Sequence, residues 1–248
     1  MFDRAAWAER AQQADDGRRD RAQIMAADPR LGFERMLRCD QCGTLFSDRV
    51  PGEAALEEFY RHYYGNDGYL GKLRAKLGLK QRRLWLLKFL VRGRRFLDVG
   101  CNIGCAVEAA RRNGFDATGL ELGAAAVSIA RKYFPRNRFI AGTVAALPLG
   151  SQFDLVYCTD VIEHVPDPAD FVRLLAGAVA PNGVLFLTTP DAGHWRVRDA
   201  LLDWGEVKPP EHLTLFTRAG LCALCAPYFR SVYFVPSAKP GVHMIARR

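Results

Sequence analysis

Phe96-Leu97-Asp98-Val99-Gly100-Cys101-Asn102-Ile103-Gly104 is a short apolar run that breaks into a glycine turn and continues into a helix-type segment starting near Cys105. Such a run bounded by glycine reads as a buried strand. Gly100 and Gly104 let the backbone turn sharply and pass close to a ligand at the strand's carboxyl end, where open α/β sheets bind their ligands. Glu121 closes the next strand, 21 residues after Gly100. An acid at that place can accept two hydrogen bonds from the vicinal hydroxyls of a ribose. Asp98, ahead of the turn, can receive a cationic group. A dinucleotide would want Gly-x-Gly-x-x-Gly, and here the second and third positions are Asn102 and Cys105. The fingerprint fails for a pyrophosphate held on helix amides, which leaves a nucleoside ligand without a diphosphate.

Outward from this turn, β-type runs at 96–99, 117–120, 138–141, 153–158 and 184–188 alternate with helix-type segments at 105–112, 124–134 and 168–179. Alternation of that kind predicts a parallel sheet covered on both faces. Two later β-type runs, 231–235 and 242–246, are joined by a short Pro- and Gly-containing link suited to an antiparallel hairpin at the sheet edge. Upstream, residues 1–27 read as helical, anchored by Phe2, Trp7 and Ile24, until Asp28-Pro29 stops them. Cys39-Asp40-Gln41-Cys42-Gly43 lies in an irregular piece that ends at Pro51-Gly52. A helix over 53–64 and a turn at 65–68 follow. The division expected is an α-rich N-terminal cap over 1–93, carrying the Cys-x-x-Cys segment, and an α/β domain over 94–248.

With 248 residues, 49% hydrophobic and 25% charged, the chain has the composition of a globular protein with a sizeable core. The most apolar stretch, 84–91, is too short to cross a bilayer, which takes roughly 20 residues. Residues 1–28 offer no apolar signal region, so a cytoplasmic location is expected. Seven scattered cysteines agree with reduced thiols. The net charge of +8 is uneven: residues 1–95 hold 20 Lys and Arg against 13 Asp and Glu. Ten basic residues fall within 72–95 with no acid. Leu70, Leu73, Leu77, Leu84 and Leu87 recur there at mostly helical intervals, giving one buried stripe and one basic face. A solvated face, an anionic substrate, a nucleic-acid backbone and an acidic lipid surface all fit that pattern.

Leu97-Asp98-Val99-Gly100-Cys101-Asn102-Ile103-Gly104, then Gly119-Leu120-Glu121, Phe153-Asp154-Leu155-Val156 and Val161-Ile162-Glu163-His164-Val165 together resemble a class I S-adenosylmethionine-dependent methyltransferase. The resemblance covers about residues 94–190. Pro210-Glu211-His212-Leu213-Thr214-Leu215-Phe216 is similar to a downstream element of the same group. It implies a Rossmann-like seven-stranded mixed sheet in the order 3-2-1-4-5-7-6 with the last strand antiparallel, and S-adenosyl-L-methionine as cofactor. Carried over by position, Gly100, Cys101, Asn102 and Gly104 would line the cofactor's methionine part, with Asp98 orienting its amino group. Glu121 would hold the ribose and Leu122 pack on the adenine. Thr143 stands where many relatives have an Asp that reads the adenine, with the backbone of Val144 beside it. Thr159 and Asp160 would face the cofactor and the acceptor.

Methyl transfer is an in-line displacement from a sulfonium, so an enzyme chiefly supplies alignment and exclusion of water. A base is needed only where the acceptor must lose a proton, and the candidates are His164, Glu163, His212 and His194. His164 ranks first because the family pattern puts it beside the transferable methyl. Tyr60, Tyr63, Tyr64, Trp195 and Trp204 are candidates to roof the acceptor pocket. Cys39-x-x-Cys42-Gly43 resembles half of a zinc knuckle. Upstream of Cys39 there is neither Cys nor His, and adding Cys222, Cys225 or His62 needs a long-range contact, so no bound metal is expected. The expected partner is a small-molecule acceptor of sugar, quinone or secondary-metabolite type. A homodimer is compatible with the sequence. Nucleic acid is the lesser alternative, since the Asn/Asp-Pro-Pro-Tyr signature of amino-directed DNA methyltransferases is absent. A non-catalytic binding module is a third reading, raised by Thr143.

Overall fold

A chain this rich in alternating apolar runs can bury both faces of one sheet, and the sequence supplies the helices to cover it. The structure, a computed structural model, describes residues 1–14, 18–52, 54–56, 58–59, 73–197 and 200–248. In chain order, β1 (Phe2–Asp3) enters α1 (Arg4–Gln12), α2 (Arg18–Ala27) follows, and β2 (Arg35–Arg38) and β3 (Leu45–Ser47) form a hairpin. Then come α3 (Leu73–Leu87), β4 (Arg95–Val99), α4 (Cys105–Arg112), β5 (Asp116–Glu121), α5 (Ala124–Tyr133), β6 (Arg138–Ala141) and β7 (Phe153–Thr159). The remainder is α6 (Pro168–Ala178), β8 (Val179–Pro190), β9 (Thr214–Leu215), α7 (Arg218–Cys225), β10 (Ser231–Phe234) and β11 (Gly241–Arg247).

The large sheet runs β10-β11-β8-β7-β4-β5-β6, which numbered along its own strands is the expected 3-2-1-4-5-7-6. The pairs from β6 to β8 are parallel, and β11 lies antiparallel to both β8 and β10. Side chains alternate between two cores. Leu97, Val99, Val156 and Leu185 pack with α6 and α7 on one face. Phe96, Leu155, Tyr157 and Phe186 pack on the other with Leu84 and Leu87 of α3 and with Val107 and Ala110 of α4. Burial on both sides explains why the strands read as nearly continuous apolar runs and not as alternating ones.

The N-terminal part is not helical throughout. β1, β2 and β3 join β9 in a four-stranded antiparallel sheet, β3 pairing Leu45 with Leu215. Beneath it Trp7, Met25, Met36 and Leu45 pack with Val207 and Leu215. The two parts therefore exchange elements across the boundary read at residue 93: β9 completes the cap sheet, while α3 belongs to the core of the large one. Residues 1–27, read as one helical stretch, hold the strand β1 and two helices, α1 ending at the C-cap Gln13. The turn at 65–68 and most of the expected helix over 53–64 lie outside the described residues, as do Tyr60, His62, Tyr63 and Tyr64.

Positive φ is required at Gly104 (+84°) and at Gly114 (+91°), but only Gly104 is also crowded: a Cβ there would stand 2.7 Å from the Phe139 ring. At Gly114 it would meet nothing within 4 Å. Gly114→Ala is expected to cost about 1 kcal/mol through backbone strain alone, and Gly104→Ala at least about 3 kcal/mol because Phe139 must also move. Thermal unfolding of the pair should place Gly104→Ala roughly 5 °C below Gly114→Ala. Equal midpoints would show that the packing of β6 against the turn imposes no constraint.

Candidate active site

The carboxyl ends of β4, β5, β6 and β7 meet at one edge of the sheet, and the cofactor-site candidates read from the sequence lie along it. After β4, the amides of Gly100 and Cys101 both donate to the Leu120 carbonyl, at 2.8 and 3.0 Å. Gly100 takes φ +74°, and a Cβ on it would lie 2.4 Å from Val161 Cγ2, so no larger residue fits between the turn and the segment after β7. Asn102 takes φ +48°, a conformation that Asn tolerates better than most residues. Its side-chain oxygen accepts from the Ile103 amide at 2.7 Å.

Glu121, buried at the end of β5, ties this turn to the next. Its Oε2 accepts from the Asn102 amide and its Oε1 from the Gly123 amide, each at 2.9 Å. Leu122 beside it is well exposed. Thr143, which caps the short 3-10 turn Val144–Ala146, is exposed, and Val144 is buried. β6 pairs Ala141 with Glu121, which brings this turn alongside the carboxylate.

Asp98 is buried in β4, and among the described residues no hydrogen bond reaches its carboxyl. Burial pushes its pKa up to about 7, opposed in part by the charge of Lys80. Lys80 comes from α3 and donates to Tyr157 Oη at 3.2 Å and to Thr159 Oγ1 at 3.1 Å. Burial works to lower its pKa, but Tyr157 and Asp98 outweigh that and raise it, so Lys80 is an ammonium ion at neutral pH. Arg83, one turn on, donates to the same Tyr157 oxygen at 3.2 Å. Asp160, at φ +58°, accepts from Thr188 Oγ1 at 3.0 Å.

Past β7, a 3-10 turn at Ile162–His164 carries Glu163 and His164 against the segment that leads into β9. Nδ1 of His164 lies 2.9 Å from the Glu211 carbonyl, and Nδ1 of His212 lies 2.6 Å from the Glu206 carbonyl. A carbonyl can only accept, so each Nδ1 carries the proton and each Nε2 holds a lone pair. The two rings meet edge to face with centroids 4.8 Å apart. Glu163 accepts from Thr189 Oγ1 at 2.9 Å and sits 3.9 Å from His164 Nε2. Burial pushes Glu163 up to about 8, lowers His164, and brings His212 down to about 3. At neutral pH the cluster therefore holds a protonated carboxyl and two neutral imidazoles. Glu163, His164 and His212 each place one donor atom within 4.8 Å of the others, a mixed carboxylate and imidazole set of the type that also suits divalent cations.

The cap fixes this cluster from outside. Arg21 of α2 pairs with the buried carboxylate of Glu211, Nε donating at 2.6 Å, and Trp7 Nε1 donates to the Val207 carbonyl at 3.0 Å. Sequence reasoning did not single out Lys80, Arg21, Glu206 or Tyr157. Only the acid-free run around Lys80 gave any signal. Two aromatic candidates fall elsewhere: Trp195 is exposed and stacks on His194, and Trp204 packs against the cap core. His194 is buried, with its Nδ1 accepting from the Arg196 amide at 3.3 Å, and it takes no part in the His164 cluster.

Cys39 and Cys42 sit in the β2–β3 turn, where Gly43 N donates to the Cys39 carbonyl at 2.8 Å and Thr217 Oγ1 donates to the Cys42 carbonyl at 2.6 Å. All seven cysteines are free thiols. Burial works to raise the Cys42 thiol, but hydrogen bonds from Thr44 and Cys39 outweigh it and lower the pKa.

A family model described as a methyltransferase domain matches residues 69–228, well over half of the chain. A protein of Stutzerimonas stutzeri named ubiquinone biosynthesis O-methyltransferase is 36% identical over 103 residues, and one of the same name from Bordetella avium is 37% identical over 105. Those matches cover 39% and 40% of this chain and 44% of each relative, so the shared part spans less than half the length of the relatives. Among solved structures, magnesium protoporphyrin IX methyltransferase of Synechocystis superposes with a TM-score of 0.56 at 15% identity, covering 79% of this chain and 95% of its own. An S-adenosylmethionine-dependent methyltransferase of Mesorhizobium loti gives 0.53 at 20% identity, with 67% and 96% covered. These two likenesses concern the fold.

The buried acids set the pH dependence of stability. Asp98 and Glu163 have folded-state pKa values of about 7 and about 8, above their unfolded values near 4. Their contribution is complete below about pH 4 and is lost as pH rises through those folded values. His212 runs the other way: its folded value is about 3, so its contribution is present above the unfolded value near 6.5 and is lost as pH falls toward 3. Between about pH 6.5 and 9, Tm should fall, and Glu163→Gln should make that fall shallower. A slope unchanged in Glu163→Gln would show that this carboxyl is ionised in the native state.

Proposed function

The chain belongs to the class I S-adenosylmethionine-dependent methyltransferase family, and we propose on that premise that it methylates a hydroxyl of a quinone-type small molecule. His164 is the base in this reading. The observation that carries it is the pinned imidazole: Nδ1 is held by the Glu211 carbonyl, which makes Nε2, 3.9 Å from Glu163, the basic nitrogen. An oxygen nucleophile must lose a proton as its bond to carbon forms, and a neutral imidazole is matched to that task near pH 7. The name shared by the curated relatives supports an oxygen acceptor of the quinone class.

S-adenosylmethionine, when bound, supplies a methyl group on an electrophilic sulfonium. The residues present fit it. Asp98 is a buried carboxyl with no hydrogen bond among the described residues, which suits it to an ammonium group brought in beside the glycine turn. Glu121, held by the Asn102 and Gly123 amides, sets a buried carboxylate at the end of β5, an acceptor of the kind that suits ribose hydroxyls. Leu122 offers exposed apolar surface for a purine, with Thr143 and the Val144 backbone at its edge. Gly100, Cys101, Asn102 and Gly104 form the wall of the turn, and Thr159 and Asp160 line the side toward the acceptor. His164 Nε2 takes the hydroxyl proton. Glu163, 3.9 Å away, keeps its own proton and presents carboxyl oxygen lone pairs toward the resulting imidazolium. His212, held neutral by burial, packs on the His164 ring without adding a charge.

Two experiments test these roles. With methyl-labelled cofactor and an ortho-dihydroxyphenyl acceptor, His164→Ala is expected to lower kcat by about 100-fold or more while cofactor affinity stays the same. An unchanged kcat would falsify the assignment of the base. Pairing with an ammonium should draw the Asp98 carboxyl down from about 7. Cofactor binding between about pH 6 and 7 should therefore release a proton, measurable by calorimetry in buffers of different ionisation enthalpy. Asp98→Asn should abolish the release and weaken binding by about tenfold or more. Tight binding with no proton released from the wild type would place the ammonium elsewhere.

A further inference from the structure

α3 buries one side and, among the described residues, leaves the other without a partner. Leu84 and Leu87 enter the core, while Lys80 and Arg83 reach Tyr157. On the opposite side Leu79 is 63% exposed, Trp85 51%, Leu86 62% and, in the 3-10 turn that extends the helix, Phe89 68%. At 100° per residue these four fall within one 120° sector, with exposed Arg82 among them. Trp85 and Phe89 meet edge to face at 5.3 Å, and the Lys88 ammonium lies 5.3 Å from the centre of the Phe89 ring. Exposed Arg92 and Arg94 follow directly, and residues 72–95 contain no acid.

Singly exposed apolar side chains are ordinary. Four large ones on one side of eleven residues, two of them aromatic and ringed by cations, form a patch that calls for a partner. We propose that this face of α3 docks on a membrane surface containing anionic lipid. Tryptophan, phenylalanine and leucine are the side chains that settle at the boundary between headgroups and acyl chains, and arginine and lysine pair with the phosphates above them. Charge decides among occupants. A second copy of this chain, placed face to face, would set Arg82, Arg92 and Arg94 against their own kind with no acid in the segment to answer them. A nucleic acid would use the cations but would have no use for Leu79 and Leu86. Docking of this kind does not depend on which acceptor is methylated, though it would bring the helix carrying Lys80 to the source of any lipid-soluble one.

Sedimentation of the whole chain with vesicles tests the surface. Binding is expected to vesicles of phosphatidylcholine mixed with phosphatidylglycerol and not to phosphatidylcholine alone, and added salt should weaken it. Trp85 emission should shift to shorter wavelength on binding, a change that Trp85→Phe removes. Replacing Leu79, Leu86 and Phe89 together by Ser should lower the association constant by about tenfold or more, and Arg82→Glu with Arg92→Glu by a similar factor. All of these positions are exposed, so the circular dichroism and Tm of the variants should match the wild type. A folded wild type that ignores anionic vesicles, binds neutral ones equally well, or binds unchanged after either set of substitutions overturns the proposal. So does a dimer in solution that the Ser variant dissolves, or retention of RNA by a chain that leaves vesicles untouched.

Discussion

The carboxylate of Glu121 is the interaction on which the site depends. It accepts from the amides of Asn102 and Gly123, and so clamps the turn after β4 to the turn after β5 with one buried group. Buried backbone donors without partners are costly, and these two lie where the sheet ends and no ladder can serve them. Much of the local sequence follows. Asn102 must adopt positive φ to aim its amide, Gly100 must be small because Val161 closes on it, and Gly119 must be small because Cys101 and Phe139 fill the space beside it. A ribose that hydrogen-bonds to Glu121 would thus meet a group already fixed in position, which lowers the ordering cost of binding.

A second constraint joins the cap to the His164 and His212 cluster. The segment between Trp204 and Leu213 carries His212 and the carbonyl that orients His164, yet it contains only short-range turns of its own. What holds it are Arg21 on the Glu211 carboxylate, Trp7 on the Val207 carbonyl and the pairing of β9 with β3. Removing the cap would leave Glu211 and its neighbours without those bonds. The N-terminal elements are therefore part of the site's framework and not an ornament on a self-sufficient α/β domain.

How legible each part was in the sequence follows from how local its determinants are. β4, α4, β6 and α5 were readable almost to the residue because an apolar run, a glycine turn and a capped helix follow one another within thirty residues. β8 extends well beyond the expected 184–188, because its pairing with β7 starts at Val179, ahead of Pro181, Asn182 and a register shift opposite Phe153 and Leu155, and its pairing with β11 runs on to Pro190. The cap sheet was illegible for the opposite reason. Its strands are two to four residues long, and β9 lies about 170 residues from its partner β3, so no periodicity could announce it. His164 and His212 were named separately. That they touch, and that the cap's Arg21 holds the segment between them, is long-range information.

α3 shows how one helix can serve both categories at once. Its buried stripe was visible as leucines at helical intervals, and the run of cations was visible as charge. Their division was not. Lys80 and Arg83 turn inward to a tyrosine hydroxyl, and Lys80 stays an ammonium there because Asp98 and Tyr157 offset the desolvation of its charge. Arg82 stays outside among Leu79, Leu86 and Phe89. Lys80, whose charge acts on Asp98, and exposed Arg82 thus sit two residues apart on one packed helix. One element, fifteen residues long, carries both the cation that opposes the rise of the Asp98 pKa and the outer apolar face.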